Sequence, residues 1–374
     1  MKMVDNILIM GTSNSLLKRG WVEGLRKALP NANIVNISIG GSPGTQYCCA
    51  IPQYDFSKFD YVVFDSVPND ELGEDFIGDP MFLNRVTFEI VSTIAAQTKV
   101  IVLGFCMARH AVKPSDIYLE RRRIAAICGA QFISMREFAM RYGHSILGGS
   151  DDLIFETYAH PRQAIQNRVG FELGALLAQG AFPESGIRAE SFAHHFSTFD
   201  PAAADSTVGA VVNKKNSLMD VNFRVFDGDY TYPVPVDLPC VGFYMDILNT
   251  RCYVKLAGPK GARVKEYMFN IQPEKFEVRF IPILNGFSVS EMTVAGRFLP
   301  FERSAFSTLA NWPNKLRPAQ LTLGKMGFWG GAAYAASPRR ESDALVLHRA
   351  IEAKISAQYA ARPEQHWQTP TGFE

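Results

Sequence analysis

The sequence predicts an α/β domain built on a parallel sheet, followed by an antiparallel β-sandwich or jelly roll. Three observations carry that expectation. Short β-rich apolar runs alternate with segments of helical period through the first half of the chain. The runs are apolar almost throughout, as strands covered by helices on both faces are. After about residue 210 the apolar period becomes two, the alternation of half-buried strands. With 374 residues the chain exceeds what one core usually organises, so two domains are expected.

The expected strands are ILIM (7–10), ANIVNISI (32–39), YVVF (61–64) and VIVLGF (100–105). Between them Leu17, Trp21, Leu25 and Leu29 recur at spacing four and share a helical face, and 81–99 and 115–129 carry similar stripes. A helix over Pro161–Gly180 closes this first unit, 1–185. Residues 186–215 are rich in small residues and read as a linker. Beyond them Met219, Val221, Phe223 and Val225 point one way while Asp220, Asn222 and Arg224 point the other. RCYVKLAG (251–258) and KFEVRF (275–280) repeat the habit with Gly and Pro punctuation, which makes 216–300 the expected β-sandwich. The remainder, 301–374, reads as loops anchored by aromatics and a closing amphipathic helix over Ser342–Ala361.

Composition excludes several classes. Hydrophobic residues at 47% and charged residues at 20% fit a globular chain and neither a disordered nor a fibrous one. Lys and Arg number 38 against 37 Asp and Glu, so no overall field draws the protein to nucleic acid or an anionic membrane. The first residues, MKMVDNILIMG, lack a signal-peptide core, and no run approaches the roughly 18 apolar residues of a membrane helix. No membrane span and a cytoplasmic location are the expectations. Cys48, Cys49, Cys106, Cys128, Cys240 and Cys252 form no C-x-x-C pair and read as reduced thiols.

Four positions at strand-to-helix junctions carry candidate chemistry. Ser13 follows the first strand, at the carboxyl end where ligands of open α/β sheets bind; the same residue reads as a helix cap. Gly41, in NISIGGSPG, has no side chain to keep its N–H from a ligand, or simply makes a turn. Asn69, in VFDSVPNDE, places an amide donor at a strand terminus, or makes an Asx turn after Pro68. His160 precedes Pro161, which would occupy the first helical position; an ordinary surface histidine reads the same way.

In this order, with Gly11-Thr12-Ser13, Gly41, PND at 68–70 and HP at 160–161, the sequence resembles the SGNH (GDSL-like) hydrolase family over about residues 5–180. The resemblance implies a three-layer α/β/α domain and ester chemistry, with Ser13 as nucleophile, His160 as base, and Ser13, Gly41 and Asn69 as oxyanion donors. It departs from the family's G-D-S block at Thr12, as branches that modify bacterial polysaccharides do. It departs again at Thr157, where the family's D-x-x-H-P would place the acid that orients the imidazole. Glu156, Asp151, Asp152 or a backbone carbonyl are the alternatives for that task.

The expected function is therefore a serine esterase acting on O-acyl groups, such as O-acetyl, of a carbohydrate or other small acylated substrate, without metal or cofactor. A polysaccharide O-acyltransferase using the same residues and a non-catalytic glycan-binding protein are the alternatives. The remaining conspicuous residues read as structural: ERRR at 120–123 as a solvated helix face ahead of an anion site, His194 and His195 as linker residues, and Trp312, Phe328, Trp329 and Tyr334 as loop anchors ahead of a sugar platform.

Overall fold

A computed structural model describes residues 4–77, 80–147, 153–182, 194–215, 219–268, 271–272, 274–296, 302–303, 319–331 and 344–360. Its first half is a five-stranded sheet of β1 (Asn6–Met10), β2 (Asn33–Asn36), β3 (Tyr61–Asp65), β4 (Lys99–Leu103) and β5 (Gln131–Ile133). The strands run parallel in the order β2-β1-β3-β4-β5. After β1 the chain turns to one side of it and then crosses to the other, so the end of β1 lies at the topological switch point where such sheets bind ligands. β5 was absent from the expected strands because three residues show no period.

Strand alternation sorts the core into two faces. Ile7, Ile9, Val63, Ile101 and Leu103 are buried with α1 (Trp21–Ala28), while Leu8, Met10, Val62, Phe64, Val100 and Val102 face the other side. Crossovers supply α2 (Val67–Ile77), α3 (Pro80–Ala95), α4 (Asp116–Ile127), α5 (Met135–Ile146) and α6 (Gln163–Ala178). Between the last two, β6 (Phe155–Thr157) and β7 (His160–Pro161) form a two-residue hairpin. Pro161 thus belongs to that hairpin, not to the first turn of a helix, and α6 begins two residues later.

The second half is one curled sheet containing β8 (Phe196–Phe199), β9 (Ala210–Lys215), β10 (Asp220–Asp227), β11 (Tyr230–Pro233), β12 (Pro239–Asp246), β13 (Arg251–Gly258), β14 (Gly261–Met268), β15 (Val278–Ser288), β16 (Glu291–Ala295), β17 (Glu302–Arg303) and β18 (Gln320–Trp329). All its pairings are antiparallel except β14 with β17. A two-layer sandwich or jelly roll was expected. Instead β18 pairs β10 and then β8 along one edge and β12 along the other, which joins the layers by hydrogen bonds. The sheet also reaches outside 216–300: the expected linker supplies β8 and β9, and the expected loops after 301 supply β18. The closing helix, α7 (Val346–Ala360), buries Leu347, Ile351 and Ile355 against the parallel sheet on the α1 side.

The two sheets share a core, because Val241, Phe280 and Trp329 of the curled sheet pack with Met10, Phe64, Val86 and Ile90. Two arginines are buried, Arg224 and, within the ERRR stretch expected as a solvated helix face, Arg121. Arg224 donates to the carbonyls of Pro201, Ala204, Ser206 and Val208, organising the segment before β9. Arg121, within ERRR, pairs with Asp70 at 2.9 Å.

The tightest helix contact joins α1 to α6. A Cβ on Gly24 would lie 2.0 Å from Asn167 O, and one on Gly170 would lie 2.0 Å from Trp21 O. Only hydrogen fits at either position, so the two backbones touch. Gly170→Ala is therefore expected to lose about 1–3 kcal/mol by overpacking, read as a lower urea midpoint at unchanged m-value. An unchanged or higher midpoint, the ordinary result of replacing a helical glycine by alanine, would rule out the close approach.

Candidate active site

Ser13 opens a short 3-10 turn after β1, and Thr12, at the capping position of that turn, makes no side-chain cap hydrogen bond. The turn is held from the neighbouring strand. Asp65, the last residue of β3, accepts from the Thr12 N–H at 3.3 Å, the Thr12 hydroxyl at 3.2 Å and the Ser15 hydroxyl at 2.9 Å. Trp21 Nε1 then donates to Ser15 Oγ at 3.2 Å. Burial pushes the Asp65 carboxyl up to about 6, opposed by those donors. Since the folded value lies above the unfolded one, ionised Asp65 is a stability cost that grows as pH rises through about 6.

Ser13 Oγ lies 2.7 Å from His160 Nε2 although 147 positions separate them. His160 and Thr157 are opposite each other in the β6–β7 hairpin, which brings facing side chains within reach. Thr157 Oγ1 sits 2.7 Å from His160 Nδ1 and also accepts from the Ala159 N–H at 3.3 Å. The hairpin is tied to the serine turn by Asn14 Nδ2, which donates to Ala159 O at 3.2 Å. Gln166 of α6 closes the clip, donating to Asn14 Oδ1 at 3.3 Å and Pro161 O at 2.8 Å.

Glu156, an expected source of the orienting acid, is elsewhere. Its carboxylate accepts from the Gln163 N–H at 2.9 Å and from Gln163 Nε2 at 3.1 Å, capping the start of α6. Hairpin alternation explains the correction: Glu156 and Thr157 point to opposite faces, and only Thr157 faces the ring. Asp151 and Asp152 lie outside the described residues. Burial lowers the His160 pKa below its ordinary value, and the Glu156 charge opposes this weakly.

The loop after β2 runs beside the serine. A Cβ on Gly40 would lie 3.6 Å from Ser13 Cβ, and Gly41 holds φ 65°, which disfavours any side chain. Asn69 sits in the first turn of α2, one step beyond the strand end, and its Nδ2 donates to Ser42 O at 2.9 Å. One of the two amide hydrogens is thus used to hold the loop. Asp70 secures both segments: it accepts from the Gly44 N–H at 2.8 Å, the Ser66 hydroxyl at 2.7 Å and Arg121 at 2.9 Å. From the curled sheet, the Phe280 N–H donates to Ser42 Oγ at 2.9 Å.

The other conspicuous residues stand apart from this group. Phe328 is fully buried, and Trp329 donates from Nε1 to Glu89 at 2.7 Å; Trp312 and Tyr334 lie outside the described residues. His195 also bonds Glu89. All six cysteines are buried and none is in a disulfide. Among the described residues no group of three or more His, Cys, Asp or Glu could hold a metal ion, and no helix is long and apolar enough to cross a membrane. Sequence reading missed Asn14, Asp65, Asp70 and Gln166; the one available signal was polar residues set within otherwise apolar strand ends and helix faces.

No family model matches the chain, and no curated protein matches it. Among solved structures it is similar to the psychrotrophic esterase EstA from Pseudoalteromonas sp., at 19% identity and a TM-score of 0.34, over 47% of this chain and 97% of that one. AlinE4, an SGNH-hydrolase family esterase, is similar at 17% identity and a TM-score of 0.30, over 49% and 99% of the two chains. The capsular polysaccharide assembling protein CapF from Staphylococcus aureus is similar at 10% identity and a TM-score of 0.21, over 87% and 96%. Structural neighbours thus include SGNH esterases. Likenesses this distant leave function to the geometry of the site.

Two outcomes follow from the Thr157 contact. Thr157→Asp places a carboxylate where the ring needs charge compensation, and ester turnover should rise roughly 10- to 100-fold, part of the about 10⁴ that an orienting acid is worth in a Ser-His-Asp triad. Unchanged kcat in that variant would remove Thr157 from the site. The pH profile tests the ring itself. A histidine serves as a general base only when neutral, and the His160 pKa is lowered, so an ester-cleaving activity that uses this ring should show an acid limb of kcat/KM with its midpoint below 6.5. In Thr157→Asp the new charge favours imidazolium and should move that midpoint upward; a limb that stays fixed would show that His160 is not the titrating group.

Proposed function

We propose that the protein is a serine esterase that cleaves O-acyl groups from a carbohydrate, using Ser13 and His160. The observation that carries this reading is the 2.7 Å contact between Ser13 Oγ and His160 Nε2, with Thr157 on the other ring nitrogen. For Nε2 to accept the serine proton, Nδ1 must carry the ring hydrogen, and Thr157 Oγ1 then accepts it. Ser13 Oγ attacks the ester carbonyl while its proton passes to His160. The imidazolium returns that proton to the leaving alkoxide, the acyl group stays on Ser13, and a water activated by the same ring releases it as the acid.

Ser13, Gly41 and the second hydrogen of the Asn69 amide receive the oxyanion, each donor being worth on the order of 10² to 10³ in rate. A hydroxyl orients the ring as a carboxylate would but leaves the imidazolium without an adjacent countercharge. The enzyme is accordingly slow in this reading. A sugar hydroxyl taking the acyl group in place of water would turn the same steps into transfer. The carbohydrate assignment rests on the Gly11-Thr12-Ser13 block.

A fluorophosphonate probe tests the central claim, because only an activated serine is modified. Labelling of the wild type and its loss in Ser13→Ala and His160→Ala is the expected result. Absence of labelling in all three would favour a binding protein that has lost its chemistry.

A further inference from the structure

We propose that the cavity between the two sheets binds a small monocarboxylate with an apolar body, an aromatic or short-chain acid, whose head group is held by Lys325. The cavity measures about 370 Å³, within the range of small-molecule sites. Neither Ser13 nor His160 lines it, so its occupancy is independent of any chemistry at that pair.

One wall comes from the chain after β2. Ile37 and Ile39 face the cavity, while Ser38 between them turns the other way, its Oγ accepting the Gly11 N–H at 2.9 Å. Tyr47, Tyr54 and Tyr244 add aromatic wall. The Tyr47 hydroxyl donates to Gly11 O at 2.6 Å and the Tyr244 hydroxyl to Gln46 O at 3.1 Å, so the polar ends of both are satisfied and their rings serve as apolar surface. Tyr54 stacks on Phe56, with ring centroids 6.2 Å apart. Such a wall accepts an apolar body.

Lys325 reaches the cavity from a bulge in β18. Between the pairs Phe243–Met326 and Met245–Leu323, two residues, Gly324 and Lys325, stand opposite Tyr244 alone, and bulges of this kind re-aim a side chain. The ammonium donates to Gln53 Oε1 at 2.7 Å, and Gln53 Nε2 is itself held on Cys49 O. An ammonium carries three donors, and among the described residues no carboxylate pairs with this one. Two acids line the same cavity, and both have donors of their own. Asp220 pairs with Lys215 at 2.9 Å and accepts from Asn213 at 2.8 Å, and Asp200 accepts the Ala202 N–H at 3.0 Å. A ligand carboxylate would therefore supply Lys325 with the countercharge that the chain withholds.

Calorimetric titration of the full chain with phenylacetate, 2-phenylethanol and 2-phenylethylammonium tests this, since the three share a ring and differ in head group. Phenylacetate should bind about tenfold more tightly than the alcohol, the worth of one charge-assisted hydrogen bond. Lys325→Gln should remove that advantage and leave the affinity for the alcohol unchanged, which also reports an intact cavity. No binding of phenylacetate, equal affinity for all three, or a preference for phenylacetate that survives Lys325→Gln would overturn the proposal. Tightest binding of the ammonium would overturn it too, by giving the head group to Asp200 and Asp220. Ala50→Phe, which adds a ring to the lining, should weaken all binding. Ser13→Ala should change none of it, and loss of phenylacetate in that variant would place the ligand at Ser13 instead.

Discussion

The geometry of the site depends on one contact, the backbone-to-backbone approach of α1 and α6 across Gly24 and Gly170. α1 follows the turn that holds Ser13, and α6 follows the hairpin that holds His160. Fixing the two helices against each other fixes two chain segments that no local interaction could bring together. A methyl group at either glycine would push the helices apart. Separation by even 1 Å matters for a proton transfer that runs through a single hydrogen bond. Asn14 and Gln166 repeat the constraint in polar form, since each has one end on the serine side and one on the histidine side.

Around this frame the chain buries charge where apolar residues would pack more simply. Asp65 and Asp70 sit beneath the serine turn and the glycine loop; Asp65 Oδ2 and both Asp70 oxygens are spent on backbone N–H groups, hydroxyls and Arg121. Removing one partner of a buried pair such as Asp70–Arg121 leaves an uncompensated charge and costs about 3–5 kcal/mol. Such groups add little net stability. What they supply is direction, because hydrogen bonds hold a turn in one conformation more strictly than apolar contacts do.

The second sheet belongs to the same structural unit. It completes the core over the α3 side of the parallel sheet, and through Ser42 and Arg279 it reaches the loop beside Ser13.

The sequence by itself determined the parallel sheet, the second region of alternating strands, and the four junction residues Ser13, Gly41, Asn69 and His160, because buried strands, period two and turn chemistry are local signals. The resemblance to SGNH hydrolases also marked Thr157 as the place where that family's pattern would put an orienting acid. The sequence could not show β5, whose three residues carry no pattern, or that 320–329 is a central strand, since aromatics among glycines read as loop. Only the tertiary structure decided that Thr157 itself meets the ring while Glu156 caps α6, that the sandwich is one curled sheet, and that Arg121 and Arg224 are buried. Those outcomes depend on partners far away in the chain, and a side chain's spacing along its own strand or helix carries no record of what faces it.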